Sequence, residues 1–269
     1  DGLTGYMTPF VWMFISSYQK LREIIISGHF INSLIQLEYS GFDGATVPIC
    51  TFTLRNRSID AEGSYIRLSD FRGSQNQAPK TLEAINNPNC GWFYTKNQKE
   101  LKKIPGWNIG YWLGKRMLKL FDYPQINRIG ISDGQNITGN NEKYLRMFWE
   151  ICENECHPKS KWPLIAKGGS FRRWTGNVIE VINWSELARR EYKNNPVARI
   201  QSEYLWFRRG ITWNLVSSIG TGFRLLQKNQ LFNKAAPTIL FENDGDVVEV
   251  LLAFLNTKIT TILVNLLNP

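Results

Sequence analysis

The sequence predicts an α/β fold that passes into a mixed α+β region, and three observations carry that prediction. Over residues 1–70, β-branched and apolar stretches alternate with one helical pattern in the order strand, helix, strand, loop, strand. That order suits the trailing edge of an α/β sheet closed by an antiparallel hairpin. The polar run SDFRGSQNQAPK then reads as a connector and sets a boundary between about residues 60 and 80. Beyond it, short apolar runs are separated by loops in which Arg and Lys interleave with aromatic residues. The chain is therefore divided into residues 1–70, a connector over 71–120 and a second domain over 121–269.

Hydrophobic residues make up 43% and aromatics 13% of the 269 residues, enough for packed cores and too much for a disordered chain. Thirty-two Lys and Arg against 23 Asp and Glu leave a formal charge of +9, a balance that favours a polyanionic partner. The apolar run Tyr6 to Ile15 is too short to cross a bilayer, and that from Val247 to Leu267 is broken by Glu249, Asn256, Lys258 and Asn265. No membrane partner is expected. Cys50, Cys90, Cys152 and Cys156 are sparse for this length and no secretory leader is visible, which points to free thiols and a cytoplasmic location. The sequence opens on Asp1 and stops at Pro269 directly after an apolar helical pattern, so it reads as an internal piece of a longer protein.

Taken in order, Gly2 to Phe14 is strongly apolar, as a buried strand with its exit turn would be, and Pro9 excludes a regular helix there. Ser16 or Ser17 caps a helix with Tyr18, Leu21, Ile24 and Ile25 on one face, ended by Gly28. In Ile31 to Tyr39, Ile35, Leu37 and Tyr39 alternate with Gln36 and Glu38 as in a half-buried strand. GFDGATVPICTF, residues 41–52, sets a Gly-containing loop with Phe42 at its entrance before a β-forming run of Val47, Ile49, Thr51 and Phe52. Ser64 to Leu68 is a further short strand, and Thr81 to Asn86 a short helix ended by Pro88. Cys90 to Leu120 mixes Trp, Tyr and Lys around an Ile-Pro-Gly turn and receives no assignment. Residues 130–141, GISDGQNITGNN, form a loop, after which Asn140 or Asn141 caps a helix carrying Tyr144, Met147, Phe148 and Ile151. The chain closes on a long helix or a helix pair, with Asp246 and Glu249 in capping-box spacing and Val250, Leu251, Phe254 and Leu255 on one face.

Three basic clusters carry chemistry. In KWPLIAKGGSFRRWTGNVIEVINW, Lys161, Lys167, Arg172 and Arg173 interleave with Trp162, Phe171 and Trp174 around Gly168 and Gly169. EYLWFRRGITWNLVSS repeats the pattern with Arg208, Arg209 and Trp213, and Arg224 follows a Gly-rich turn. Guanidinium groups neutralise phosphates and bond bidentately to guanine edges, and a Gly-Gly turn approaches a sugar-phosphate chain without a side chain in the way. Lys167, Arg172, Arg173, Trp174, Arg208, Arg209 and Arg224 are therefore the candidate contacts to double-stranded DNA. The same spacing fits a solvated rim with aromatics packed inward, and spacing leaves both readings open. Cys152, Cys156 and His157 lack a fourth ligand and read as a helix end with incidental thiols, so no metal is expected. Neither His29 nor His157 belongs to a nucleophilic-triad pattern. SIGTGF, residues 218–223, lacks the strand before and the helix after that a nucleotide loop needs, and reads as a turn.

A resemblance adds to this reading. The stretches GYMTPFVWMF, YQKLREIII, GFDGATVPICTFTLRN, YIRLSDFRGSQNQAPKTLEAI, KIPGWNIGYWL, GQNITGNNEKYLRMFWEI, KGGSFRRWTGN, EYLWFRRGITW and LLAFLNTKI occur in this order. Together they resemble the adenine-specific DNA methyltransferases that carry a target-recognition domain, most of all those of BREX phage-defence systems. The resemblance implies that residues 1–70 are the last strands of a Rossmann-like, S-adenosylmethionine-dependent catalytic sheet. It implies that residues 121–269 are the target-recognition domain, opening near GQNITGNN. It also implies methyl transfer to the exocyclic amino group of an adenine flipped out of the duplex. Phe42, followed by Val47, has the spacing of the family's base-stacking aromatic; the alternative is a ring that closes over its own core.

The family's F-x-G-x-G cofactor motif and its Asn-Pro-Pro-Tyr/Phe motif are absent, and Asn87-Pro88, Asn195-Pro196 and Asn268-Pro269 lack the second Pro and the aromatic. No catalytic residue is therefore assigned, and S-adenosylmethionine is expected only in the intact protein, which would mark host DNA beside other phage-defence proteins. The alternative is a non-catalytic DNA-specificity module of a restriction-modification system, whose closing helices share an L-x-x-L-N-T/S-K pattern. A restriction-modification fusion would need a nuclease domain further upstream.

Overall fold

The β-branched stretches at the start of the chain form strands, as their alternation dictates: β1 (Leu3–Pro9), β2 (Phe30–Gln36), β3 (Ile49–Arg55), β4 (Glu62–Arg67) and β5 (Phe93–Asn97). In this computed structural model, which describes residues 2–42, 47–217, 219–242, 245 and 247–267, they join in one sheet of order β1-β3-β2-β4-β5. β3 runs antiparallel between β1 and β2, β2 lies parallel to β4, and β4 is antiparallel to β5. The expected hairpin is thus β2 and β3, with Phe42 in their connection.

These strands belong to the first of two units, residues 1–124 with 265–269; the second is residues 125–264. On one face of the first sheet, Leu34, Phe52, Leu54 and Tyr65 pack with Ile25 and Ile26 of helix α1 (Gln19–Gly28). On the other, Ile35 and Ile66 pack with Ala84 of helix α2 (Ser74–Asn86). The α1 face differs from the expected one: Arg22, Ile25 and Ile26 turn inward, whereas Tyr18, Leu21 and Ile24 are exposed. The expected serine cap is absent too, a single 3-10 turn over Ser16–Tyr18 leading in without a side-chain capping bond. β1 is a strand as expected but not a buried one, because it sits at the sheet edge and Leu3, Tyr6 and Met7 stay exposed. Beside it, Tyr6, Trp12, Leu21, Ile24 and Phe52 line an open apolar hollow of about 730 Å³.

Residues 71–120 are part of this unit rather than a loose tether. Helix α2 begins at Ser74 and carries Pro79 within it, and β5 extends the sheet. The unassigned stretch supplies core: Leu101, Ile104, Ile109, Tyr111 and Leu113 are buried in the cluster that also holds Leu34 and Phe52, ahead of the one-turn helix α3 (Lys115–Leu118). Tyr111 stacks on Tyr65 with centroids 4.7 Å apart and donates to Gln36 Oε1 (2.8 Å).

The second unit is built from shorter pieces. Its strands are β6 (Gly130–Ile131), β7 (Leu145–Met147), β8 (Leu164–Ala166), β9 (Glu180–Ile182), β10 (Gly210–Thr212), β11 (Arg224–Leu226), β12 (Gln230–Phe232) and β13 (Thr238–Phe241). They form sheets of order β11-β10-β13-β6 and β12-β8-β9-β7. Helix α4 (Asn141–Tyr144) is capped by the Asn140 side chain, which accepts from Lys143 N (3.0 Å). It lasts one turn instead of running through Ile151, because Leu145, Arg146 and Met147 pair with β9 and that pairing overrides the helical spacing. Helix α5 (Glu186–Asn194) packs Ala188 and Tyr192 against Tyr144 and Ile182. The chain closes on the pair α6 (Val247–Leu255) and α7 (Lys258–Leu267). In α6 the inward residues are Val248, Leu252 and Leu255, while Val250 and Phe254 are exposed. Asp246, half of the expected capping box, lies outside the described residues. No single helix among the described residues is long and apolar enough to cross a membrane.

Candidate nucleic-acid interface

Phe42 leaves β2 on a stem held from several sides. The Glu38 carboxylate accepts from Ser40 N (2.9 Å) and Gly73 N (3.4 Å), and Gly41 N donates to Glu38 O (2.9 Å). Glu38 N donates to Gln77 Oε1 (3.1 Å), and the buried Gln77 amide donates in turn to Phe71 O (2.6 Å) and Gly73 O (2.9 Å). A Cβ on Gly41 would lie 2.9 Å from Glu38 O, so the stem closes only around glycine. From this stem Phe42 emerges 47% exposed and outside both core clusters of its unit, so it does not close over the core. Residues 43–46 of the same loop lie outside the described residues.

In the second unit, residues 167–177 form the loop singled out by its basic and aromatic content. Arg172, Arg173 and Trp174 are exposed at its tip, with the Arg173 guanidinium 5.4 Å from the Phe171 ring centroid. Beneath the tip the backbone is bonded on both sides: Trp174 N donates to Phe223 O (2.9 Å) and Leu225 N to Trp174 O (2.9 Å). Lys167 N closes the base on Asn177 O (3.1 Å). Trp174 (φ 72°) and Asn177 (φ 58°) occupy the left-handed region, a conformation retained only where surrounding bonds over-determine it. Those bonds come from three buried or half-buried polar side chains. Asn214 donates to Gly169 O (2.7 Å) and Ser170 O (3.5 Å), Asn177 donates to Ser170 O (3.0 Å) and Asn214 Oδ1 (3.3 Å), and Arg224 Nη1 donates to Asn214 Oδ1 (2.8 Å).

Arg224 is therefore a correction. Expected as a DNA contact, it is 0% exposed, and its burial lowers the guanidinium pKa from the ordinary value. A side chain sealed in this way reaches no phosphate; it props the loop from behind. The other expected contacts fall into two groups. Arg172, Arg173 and Trp174 share the tip, and Lys167 stands at its base in an ion pair with Glu180 (2.7 Å). Arg208 and Arg209 precede β10 at the end opposite Asn214, which follows that strand and holds the 167–177 loop. Arg209 is bonded to Glu249, and Arg208 lies over the Tyr204 ring at 5.8 Å. The structure thus places four of the seven residues in one loop, buries Arg224, and engages Arg208 and Arg209 with Tyr204 and Glu249.

Asn177, Asn214, Glu38 and Gln77 went unrecognised in the sequence, because a polar residue in a Gly-rich or polar stretch reads as solvated loop. Cys156 Sγ approaches the carbonyls of Cys152 (3.7 Å) and Phe148 (4.0 Å), and among the described residues no group of three or more His, Cys, Asp or Glu converges as a metal cage.

No protein-family model matches the sequence. The chain is homologous over its full length to two curated proteins, the adenine-specific methyltransferase PglX of Lacticaseibacillus casei (strain Zhang), 30% identical, and the adenine-specific methyltransferase BrxX of Escherichia coli O9:H4 (strain HS), 28% identical. It spans 24% of the first and 22% of the second, about a quarter of each relative. The family resemblance drawn from the residues is thereby borne out. Among solved structures, the type IIL restriction-modification enzyme MmeI in complex with DNA matches 93% of this chain and 34% of its own at a TM-score of 0.50 and 12% identity. That likeness concerns the fold and agrees with the expected α/β methyltransferase-like class.

Proposed function

We propose that this chain is the DNA-reading portion of a site-specific DNA adenine-N6 methyltransferase. Residues 1–70 complete the catalytic sheet and present Phe42 to an adenine flipped from the duplex, and residues 121–269 read the target. Residues 71–120 go with the first part, whose sheet and core they extend. The observation that carries the proposal is the loop at 167–177: two exposed guanidinium groups and an exposed indole on a backbone braced from beneath. A charged tip that does not reorganise on binding loses little entropy when it meets a phosphate, and an indole face accepts a base at about 1–3 kcal/mol. The same stacking energy at Phe42 offsets part of the cost of extruding the target adenine.

In the intact protein the methyl donor is S-adenosylmethionine, held by residues outside this chain, since neither the F-x-G-x-G nor the Asn-Pro-Pro-Tyr/Phe motif occurs here. The biological role is marking of host DNA in the cytoplasm as self in a BREX-type phage-defence system, beside other proteins of that system. The likeness to a restriction-modification enzyme also suits a non-catalytic specificity module, which shares the DNA-reading role but not the methyl transfer.

The test is duplex binding over a range of salt concentrations. Replacing both arginines, Arg172→Glu with Arg173→Glu, is expected to weaken binding and to lower the slope of log K against log[salt] by roughly two, one for each lost phosphate contact. An unchanged slope would remove this loop from the interface.

A further inference from the structure

We infer that Leu215, Val216 and Ile219, in the connection from β10 to β11, act as an apolar wedge that enters DNA between base steps, beside the phosphates gripped by Arg172 and Arg173; this rests on the DNA-reading role proposed above. Val216 is 85% and Ile219 76% exposed, more than any other large apolar residue among the described ones, and Leu215 adds 49%. Single exposed aliphatics are ordinary, but three within five residues concentrate apolar surface that costs free energy in water and gains it wherever it is covered.

Both ends of this loop are fastened to the basic loop. At its start, Asn214 donates to the carbonyls of Gly169 and Ser170, and Leu215 N is held by Ala235 O (3.1 Å). At its end, Gly222 packs so closely on Arg172 that a Cβ there would collide with the Arg172 carbonyl oxygen, and Phe223 O accepts from Trp174 N. Arg224, immediately afterwards, ties back to Asn214 Oδ1. Charged tip and apolar loop are therefore carried on one braced base, next to each other, and are presented together.

A duplex offers a surface matching both halves: phosphates for the guanidinium groups and the stacked base faces for Val216 and Ile219. A protein partner would have to accept two guanidinium groups along with the aliphatic loop, whereas DNA supplies both complements at adjacent positions. Proteins that combine basic anchors with an inserted aliphatic side chain unstack a base step and kink the duplex by about 20–90°. A step opened in this way also lowers the cost of extruding a neighbouring base.

The experiment uses the full chain and duplexes enriched from a random-sequence pool by binding to the wild type, labelled at their two ends with a donor and an acceptor dye. The wild type is expected to bind and shorten the dye-to-dye distance. Val216→Ser with Ile219→Ser, substitutions at exposed positions that leave the fold alone, is expected to weaken binding about tenfold and to abolish the bend. The salt slope stays at the wild-type value, because no phosphate contact is lost. Arg172→Glu with Arg173→Glu lowers that slope in the same assay. Straight DNA in the wild-type complex overturns the wedge. So does a serine variant that binds and bends as the wild type does, including one in which only self-association of the chain changes, which assigns the loop to a protein contact. If the glutamate variant also binds with unchanged affinity and slope, the DNA-reading role itself fails.

Discussion

The Asn214 side chain ties the braced loop together, since it bonds the carbonyls of Gly169 and Ser170 on one side and the Arg224 guanidinium on the other. Asn214→Ala removes all of these at once and leaves a buried guanidinium with none of its nitrogens bonded to a side chain on that face, since Nε and Nη2 already lack partners among the described residues. The expected cost is about 1–3 kcal/mol, the usual penalty for an orphaned buried donor. Its signature is local: trypsin cleaves faster after Arg172 and Arg173, while the circular dichroism spectrum of the folded chain is retained. Cleavage at the wild-type rate would show that the backbone bonds to Phe223 and Leu225 suffice. At this scale the sequence displayed the arginines without distinguishing a buried one from an exposed one. Arg224 and Arg172 stand in equally Gly-rich surroundings, and only tertiary packing separates them.

Among the elements, the segment between β5 and α3 shows where pattern reading stops. Ile104, Ile109, Tyr111 and Leu113 are core residues, yet they lie in 3-10 turns and irregular backbone with neither the period of a helix nor that of a strand. Strand β3 is legible because strict alternation survives in it, and the sequence shows only the C-terminal part of α2 because Pro79 and the polar residues before it imitate a connector. The irregular segment is fixed to the sheet by Tyr111, which is buried between Tyr65 and Trp112 and bonded to Gln36. Tyr111→Phe keeps the rings in place and orphans Gln36 Oε1 inside the core. We expect a loss of about 1–3 kcal/mol, read as a lower midpoint in urea with an unchanged m-value. A midpoint equal to the wild type would show that the amide finds another partner.

For the whole molecule, the order of elements rather than any single motif made the α/β class legible, and the charge of +9 pointed to a polyanion without saying which residues meet it. Under the proposed function, a base-stacking ring and a DNA-reading loop without a cofactor motif amount to part of an active site. The purified 269-residue chain is accordingly expected to transfer no labelled methyl group from S-adenosylmethionine to DNA, and scintillation counting of the recovered duplex checks it. Any incorporation above background would place the donor site within these residues. The open side of β1 bears on how such measurements are made. Its outer row of backbone donors and acceptors, flanked by Leu3, Tyr6 and Met7, is a ready template for another strand, with the neighbouring hollow to receive side chains. The isolated chain is therefore expected to self-associate as its concentration rises, and dilute, single-molecule or surface-tethered formats suit it better than those that need millimolar protein.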